Sequence, residues 1–272
     1  MNYGLSTSLF AEKRLNSHIL DKILAAGLRD FEIMAARQHL DYHDPNQLRD
    51  VAQWFSDHSV TLQSLHAPLF TDWNWGRSER LMISVAYLER RARIASMDEI
   101  KRAIEVAELL PFRYLVLHLG LPDEEYDLRK FDAAFTSIEH LNIFAKERGA
   151  QILLENIPSD LSTPERMLSF LKYTRLDLKV CFDTGHAHMR GGVQSAFRTL
   201  RERIAAIHVH DNHGEKDEHL LPFEGEIDWA QTVRDFRSAG GQFPVLFELN
   251  YARHEPNILA RFREVMDRFE EF

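Results

Sequence analysis

The sequence is almost without cysteine. Cys181 is the single thiol among 272 residues, which excludes an internal disulfide and any cysteine-rich zinc module. No apolar run approaches the ~20 residues that cross a bilayer, so no membrane partner is expected. A glycine-rich phosphate turn is also missing after the first strand candidate, which weighs against a doubly wound dinucleotide-binding fold. Gly191-Gly192 and Gly240-Gly241 precede a helix and a strand and read as turn chemistry. No Pro/Gly/Ser-rich linker divides the chain. Basic charge is in deficit, with 33 Lys and Arg against 42 Asp and Glu and a net charge of −9. That balance speaks against nucleic acid as a partner, since such proteins show a basic footprint, although a local basic rim survives averaging. The opening residues MNYGLSTSLFAEKR lack the basic-then-apolar layout of a secretion signal, so the expected compartment is the cytoplasm.

What is present is a regular alternation of short apolar runs and helical patterns, recurring about every 30 residues. Strand candidates fall at Tyr3–Ser8, Asp30–Ala35, Val60–His66, Tyr114–His118, Gln151–Glu155, Leu178–Asp183, Ile204–His210 and Pro244–Leu249. They are runs of Val, Ile, Leu and Phe without strict alternation, as in parallel strands buried on both faces. Between them lie amphipathic segments with start signals. Asp44-Pro45-Asn46-Gln47 offers an N-cap, a first-turn proline and a glutamine three after the cap. Thr163-Pro164-Glu165 opens another helix in the same way. The segment 80–110 reads as one long helix or two joined by a kink. The last helix, Asn257–Phe272, puts Ile258, Leu259, Phe262, Val265, Met266 and Phe269 on one stripe. Eight β-then-α units predict an α/β protein, a single (β/α)8 TIM barrel over residues 1–272, with an open sheet as runner-up.

A barrel gathers its chemistry at the C-terminal ends of its strands. The third strand candidate ends in His66, the fourth in His118, the fifth in Glu155 and the sixth in Asp183; the seventh closes on His208 and His210, and the eighth carries Glu248. Each side chain alone has a plain explanation as a hydrogen-bonded strand end or a rim carboxylate. Gathered at one mouth without cations, they would repel and be desolvated at a cost. Divalent ions remove that cost. Residues two apart on a strand share a face, so His208 and His210 both point inward, as do Cys181 and Asp183. His186 follows Asp183 by three in CFDTGHAH, and Asp217 and His219 sit two apart in the seventh loop. Imidazoles with carboxylates suit zinc, and carboxylate-rich sets also suit manganese or cobalt. His213 has no assigned partner and reads as a solvated loop histidine.

The motifs LHAP, LVLHLG, LLENIPS, VCFDTGHAH, IHVHDN through DEHLLPFEGEIDW, and FELN occur in this order from the third strand to the last. In this the chain resembles the xylose-isomerase-like TIM-barrel superfamily, which includes endonuclease IV and the sugar or sugar phosphate isomerases and epimerases. The epimerase branch implies one divalent ion held by Glu155, Asp183, His208 and Glu248. It also implies Glu155 and Glu248 as acid and base on opposite faces of the substrate carbon. The endonuclease IV branch implies three zinc ions. His66, His118 and Glu155 would hold one, Glu155, Asp183, His208 and Glu248 the second, and His186, Asp217 and His219 the third. Glu218 stands where that enzyme carries arginine, and the loop after His66 offers Trp73 and Trp75 in place of its tyrosine.

The expected function is therefore a divalent-metal-dependent isomerase or epimerase of a small sugar or sugar phosphate, with one to three ions (zinc or manganese). An abasic-DNA phosphodiester hydrolase of the endonuclease IV kind is the alternative, and a metal-dependent lyase or hydrolase on a modified sugar is a third. His186 and His210 would contact substrate, and Trp73 and Trp75 would cover a sugar face or pack the third loop against the rim. The DNA reading requires a basic crescent, for which Arg77, Arg90, Arg91, Arg93, Arg190 and Arg253 are the candidates. Assembly into a homo-oligomer leaves no periodic signature and stays open.

Overall fold

A computed structural model describes residues 1–71, 82–240, 243–250 and 257–272. Eight parallel strands, β1 (Asn2–Ser6), β2 (Asp30–Met34), β3 (Thr61–His66), β4 (Tyr114–His118), β5 (Gln151–Glu155), β6 (Lys179–Asp183), β7 (Ile204–Val209) and β8 (Pro244–Phe247), pair in chain order. β8 returns to β1, in register Asn2 to Pro244, and closes the barrel. The described helices are α1 (Ser17–Ala25), α2 (Pro45–His58), α3 (Arg90–Glu105), α4 (Leu128–Lys146), α5 (Pro164–Thr174), α6 (Thr184–Met189), α7 (Val193–Leu200), α8 (Trp229–Ser238) and α9 (Ile258–Glu270). The single barrel expected from eight β-then-α units is the observed fold.

Helix starts follow their capping residues. Asp44 accepts from the Asn46 amide at α2, Thr163 from the Arg166 amide at α5, and Asp127 from the Arg129 amide at α4. Gln47 does not complete a capping box at α2. It is buried, accepts from the Asp41 amide at 2.9 Å and donates to the Leu15 and His39 carbonyls, clamping the loop in front of the helix. The one long helix, or two joined by a kink, expected over 80–110 is shorter among the described residues, which begin again at 82. α3 begins at Arg90, because Glu89 turns its carboxylate onto the Arg91 and Ala92 amides as an N-cap. It passes into a 3₁₀ turn at Val106–Glu108 before Pro111, a residue that cannot continue a helix.

Two cores result. The large one lies between strands and helices and includes Phe31, Phe182, Phe247, Phe262 and Phe269, each without exposed surface. Ile258, Phe262, Val265 and Phe269 of the expected final stripe are buried, and Leu259 and Met266 pack at its margin. The small core fills the barrel with Tyr114, Val116, Leu153, Cys181 and Ala206. Among the described residues no helix is long and apolar enough to cross a membrane.

Candidate metal centre and active site

The barrel's inner residues determine what stands above them. Two residues beyond Val116, Leu153, Cys181 and Ala206 on the same faces come His118, Glu155, Asp183 and His208. Two register irregularities keep these faces aligned. In β2–β3 pairing, Phe31 faces Leu62 but Glu32 faces Ser64, so Gln63 is an extra residue in β3. In β6–β7 pairing, Val180 faces Ile204 but Cys181 faces Ala206, so Ala205 is extra in β7. Such bulges re-aim side chains beside functional sites.

The remaining motif residues hold the loops. Asn156 of ENIPS brackets Asp183, accepting from its amide and donating to its carbonyl, both at 2.9 Å. Thr184 donates to the His208 and His210 carbonyls. A side chain on Gly185 would lie 2.0 Å from the His210 ring, so only glycine fits there. Asp211 accepts from the Asn212, Phe223 and Ile227 amides and from the Trp229 indole at 2.7 Å, which explains the spacing of HDN and PFEGEIDW. Asp211 and Leu220 also pair through their backbones, folding the seventh loop back on itself. His219 takes a left-handed backbone (φ 48°), uncommon for a residue with a side chain. That conformation turns its ring toward His186 and Asp217.

Three groups of candidate ligand atoms arise, each with its members' atoms within 4.8 Å of one another: His66, His118 and Glu155; Glu155, Asp183, His208 and Glu248; and His186, His210, Asp217 and His219. Glu155 belongs to two of them. Its Oε2 lies 3.2 Å from both His66 Nε2 and His118 Nε2, and its Oε1 3.2 Å from His208 Nδ1. Glu248 Oε2 approaches the same Nδ1 at 3.0 Å. Asp217 Oδ2 sits 3.2 Å from His186 Nε2 and 3.1 Å from His219 Nε2. His186 Nδ1, 3.3 Å from Asp183 Oδ1, links the second and third groups. Carbonyls can only accept, so His66 Nδ1 donates to the Ala67 carbonyl and His219 Nδ1 to the Glu248 carbonyl. Both rings therefore present Nε2 to the carboxylates.

The charges follow the same geometry. Burial opposes ionisation of Glu155, yet the imidazoles of His208, His118 and His186 outweigh it and hold the carboxyl well below its ordinary range. Glu248 is likewise lowered against burial, chiefly by His208. For Asp217, burial is outweighed by His219 and His186. Burial lowers the histidines, but Glu155 carries His66 up to about 9 and Asp217 carries His219 up to about 9. His186 is raised well above its usual value by Asp183 and Asp217, and His208 by Cys181, Glu32, Glu248 and Glu155, both against burial. For His118 burial wins, and its pKa falls.

A cavity of about 350 Å³ opens above these groups. Its polar wall carries His66, His118, Glu155, His186, Asp217, His219 and Glu248, and Met34, Leu69, Ile157 and Leu249 face them. His210, expected to touch substrate, has no exposed surface; its ring stacks on His219 at 3.9 Å and its Nε2 stands 3.0 Å from Asp183 Oδ1. Trp73, Trp75, Arg77 and Arg253 lie outside the described residues. His213 is paired, its Nδ1 lying 2.7 Å from Glu218 Oε2. Glu32 on β2 went unnoticed in the sequence, where DFEIM reads as an ordinary strand. It is fully buried, with Oε2 3.0 Å from His208 Nε2.

The donor set suits divalent ions. Asp183 Oδ2 and His210 Nδ1 are buried without a hydrogen-bond partner, and His186 Nδ1 and His210 Nε2 approach Asp183 Oδ1 without hydrogen-bond alignment, an arrangement that costs free energy unless a cation completes it.

The chain matches the xylose isomerase-like TIM barrel family over residues 20–271 and belongs to it. An uncharacterized protein of Methanocaldococcus jannaschii is 28% identical over 239 residues, covering 87% of this chain and 88% of its own. Among solved structures, a D-tagatose 3-epimerase-like protein superposes with a TM-score of 0.82 at 24% identity, covering 100% of this chain and 97% of that one. An IolI protein with a binding zinc atom superposes with a TM-score of 0.81 at 17% identity, covering 99% and 98%. At such identities the two structures establish the shared fold.

Proposed function

We propose that the protein is a divalent-metal-dependent isomerase or epimerase that removes the proton next to a carbonyl in a small sugar or sugar phosphate. One observation carries this reading. Glu155, the last residue of β5, and Glu248, the first residue after β8, are two buried carboxylates that meet at His208 Nδ1 and both line the cavity. Their depressed pKa values keep them ionised at neutral pH, so either can accept a proton from carbon while the other side serves its return. A cavity of this volume falls at the lower end of small-ligand pockets, which span roughly 300–1,000 Å³. Glu155, Asp183, His208 and Glu248 would hold the ion, with zinc or manganese suited to the set. When bound, it would polarise the carbonyl and neighbouring hydroxyl oxygens and so acidify the adjacent C–H. The likeness to a D-tagatose 3-epimerase-like protein supports the sugar class.

The three ligand groups favour a second reading, a trinuclear phosphodiester hydrolase. The charge around the mouth opposes it. Among the described residues lining the cavity none is Lys or Arg, whereas Glu12, Glu155, Asp217 and Glu248 are acidic. Arg190 is held by Asp123, Asp160 and the Pro158 carbonyl, and Arg93 by the Tyr87 carbonyl. Arg90 and Arg91 lie exposed on the first turn of α3.

The test compares two reactions on protein loaded with zinc or manganese. Incorporation of deuterium from solvent into a panel of ketoses and their phosphates, with no cleavage of abasic duplex DNA, is expected. DNA cleavage without exchange would transfer the assignment to hydrolysis, and neither reaction would defeat both readings.

A further inference from the structure

We propose that Glu32 is a positioning residue for His208, accepting the hydrogen bond of its Nε2–H and so committing Nδ1 to the Glu155, Asp183 and Glu248 group. The inference rests on the metal-dependent reading above. An imidazole has two nitrogens and, when neutral, one proton. With a carboxylate oxygen 3.0 Å from Nε2, the proton belongs on that side. Nδ1 faces Glu155 Oε1 and Glu248 Oε2 at 3.2 and 3.0 Å, and it is the nitrogen that would give up its proton and turn its lone pair to an ion bound among them.

Glu32 is itself aimed. Ser64 Oγ donates to its Oε2 at 2.7 Å, and that contact exists because the extra residue Gln63 shifts β3 so that Ser64, not Gln63, stands opposite Glu32. The same shift leaves Gln63 to donate to Asp30 at 2.9 Å. The bulge, the serine and the glutamate thus form one device. Glu32 is fully buried, and its Oε1 has no hydrogen-bond partner. A carboxylate kept so incompletely satisfied in the interior is costly as structure alone. Its return is the orientation and basicity of a ligand, the role carboxylates play behind metal-bound histidines. His66 and His219 are pinned from behind by carbonyls; His208 has the charged partner.

The experiment measures zinc affinity by competition with a chromophoric chelator, following the ion that is lost in Glu248→Gln, a ligand of the His208 group alone. Glu32→Gln should weaken that ion roughly 10- to 100-fold, and Ser64→Ala should weaken it in the same direction by a smaller factor. Nitrogen-15 NMR of the zinc-loaded wild type should show His208 protonated at Nε2 and metal-bound at Nδ1. Wild-type affinity in a folded Glu32→Gln, or zinc on Nε2, overturns the proposal. If Glu32→Gln does not fold, Ser64→Ala and the wild-type spectrum decide. Zinc binding in wild type with Glu32→Gln unaffected sinks this inference alone, whereas a wild type that binds no zinc sinks the metal-dependent reading first.

Discussion

Two layers of the barrel interior, two residues apart on the same strands, differ in every chemical respect. The lower layer is Val116, Leu153, Cys181 and Ala206, and the upper is His118, Glu155, Asp183 and His208. A separation of roughly 7 Å along each strand therefore divides an apolar plug from a cluster of buried imidazoles and carboxylates. The lower layer holds the barrel shut by packing. The upper one is positioned by that packing, with its carboxylates set against imidazoles at 3.0–3.2 Å. Substitutions in the two layers should accordingly part stability from function.

The largest effect belongs to the upper layer. Glu155→Gln should reduce isomerase or epimerase turnover roughly 10²- to 10⁴-fold and remove ions from the two groups that share it, read by steady-state kinetics and metal analysis. Full activity in that variant would break the site assignment. Below it, Leu153→Ala should cost about 2–5 kcal/mol of stability in denaturant titration. The metal content of the folded fraction should stay unchanged, and an equal loss of metal would show that the layers are not separable.

A third prediction uses pH. His66 and His219 are raised to about 9 in the folded protein from an ordinary value near 6.5. A raised folded pKa gives stability that is complete below about 6.5 and lost as pH climbs through about 9. The metal-free protein should thus lose on the order of 3 kcal/mol per histidine across that window. Ion affinity should rise over the same range as protons leave the ligands. Thermal melts with and without zinc should have opposite slopes. The smallest effect is expected at the rim, where Glu218→Gln should alter stability by less than about 1 kcal/mol, since its partner His213 is half exposed. A large loss of activity there would give the seventh loop a role beyond holding Asp217 and His219.

The barrel was legible because buried parallel strands announce themselves as apolar runs, and all eight lie within two residues of their expected ends. The segment before α3 was less so, because Glu89 looks like one more charge in a charged stretch until its carboxylate is seen on two amides. At the mouth, strand-terminal His and Glu are visible as a pattern, since the fold carries strand ends to one place. Glu32 escaped because it lies in mid-strand, away from the strand ends; its inward aim follows from Phe31 and Ile33 on either side, but its pairing with Ser64 depends on a register shift that no residue type betrays. His210 was visible but not its burial, which is fixed by the side chain that Gly185 lacks.

The extra residue in β3 also bears on how this chain can diverge. Side chains along the strand can be exchanged one at a time and tested singly by selection. Its length is less free, because an inserted residue would turn Ser64 and His66 to the helical side in a single event, whereas loss of the extra Gln63 would leave Ser64 opposite Glu32. Insertions among descendants should therefore collect in the loops, while β3 gains no residue and Gln63 is the one position it can lose.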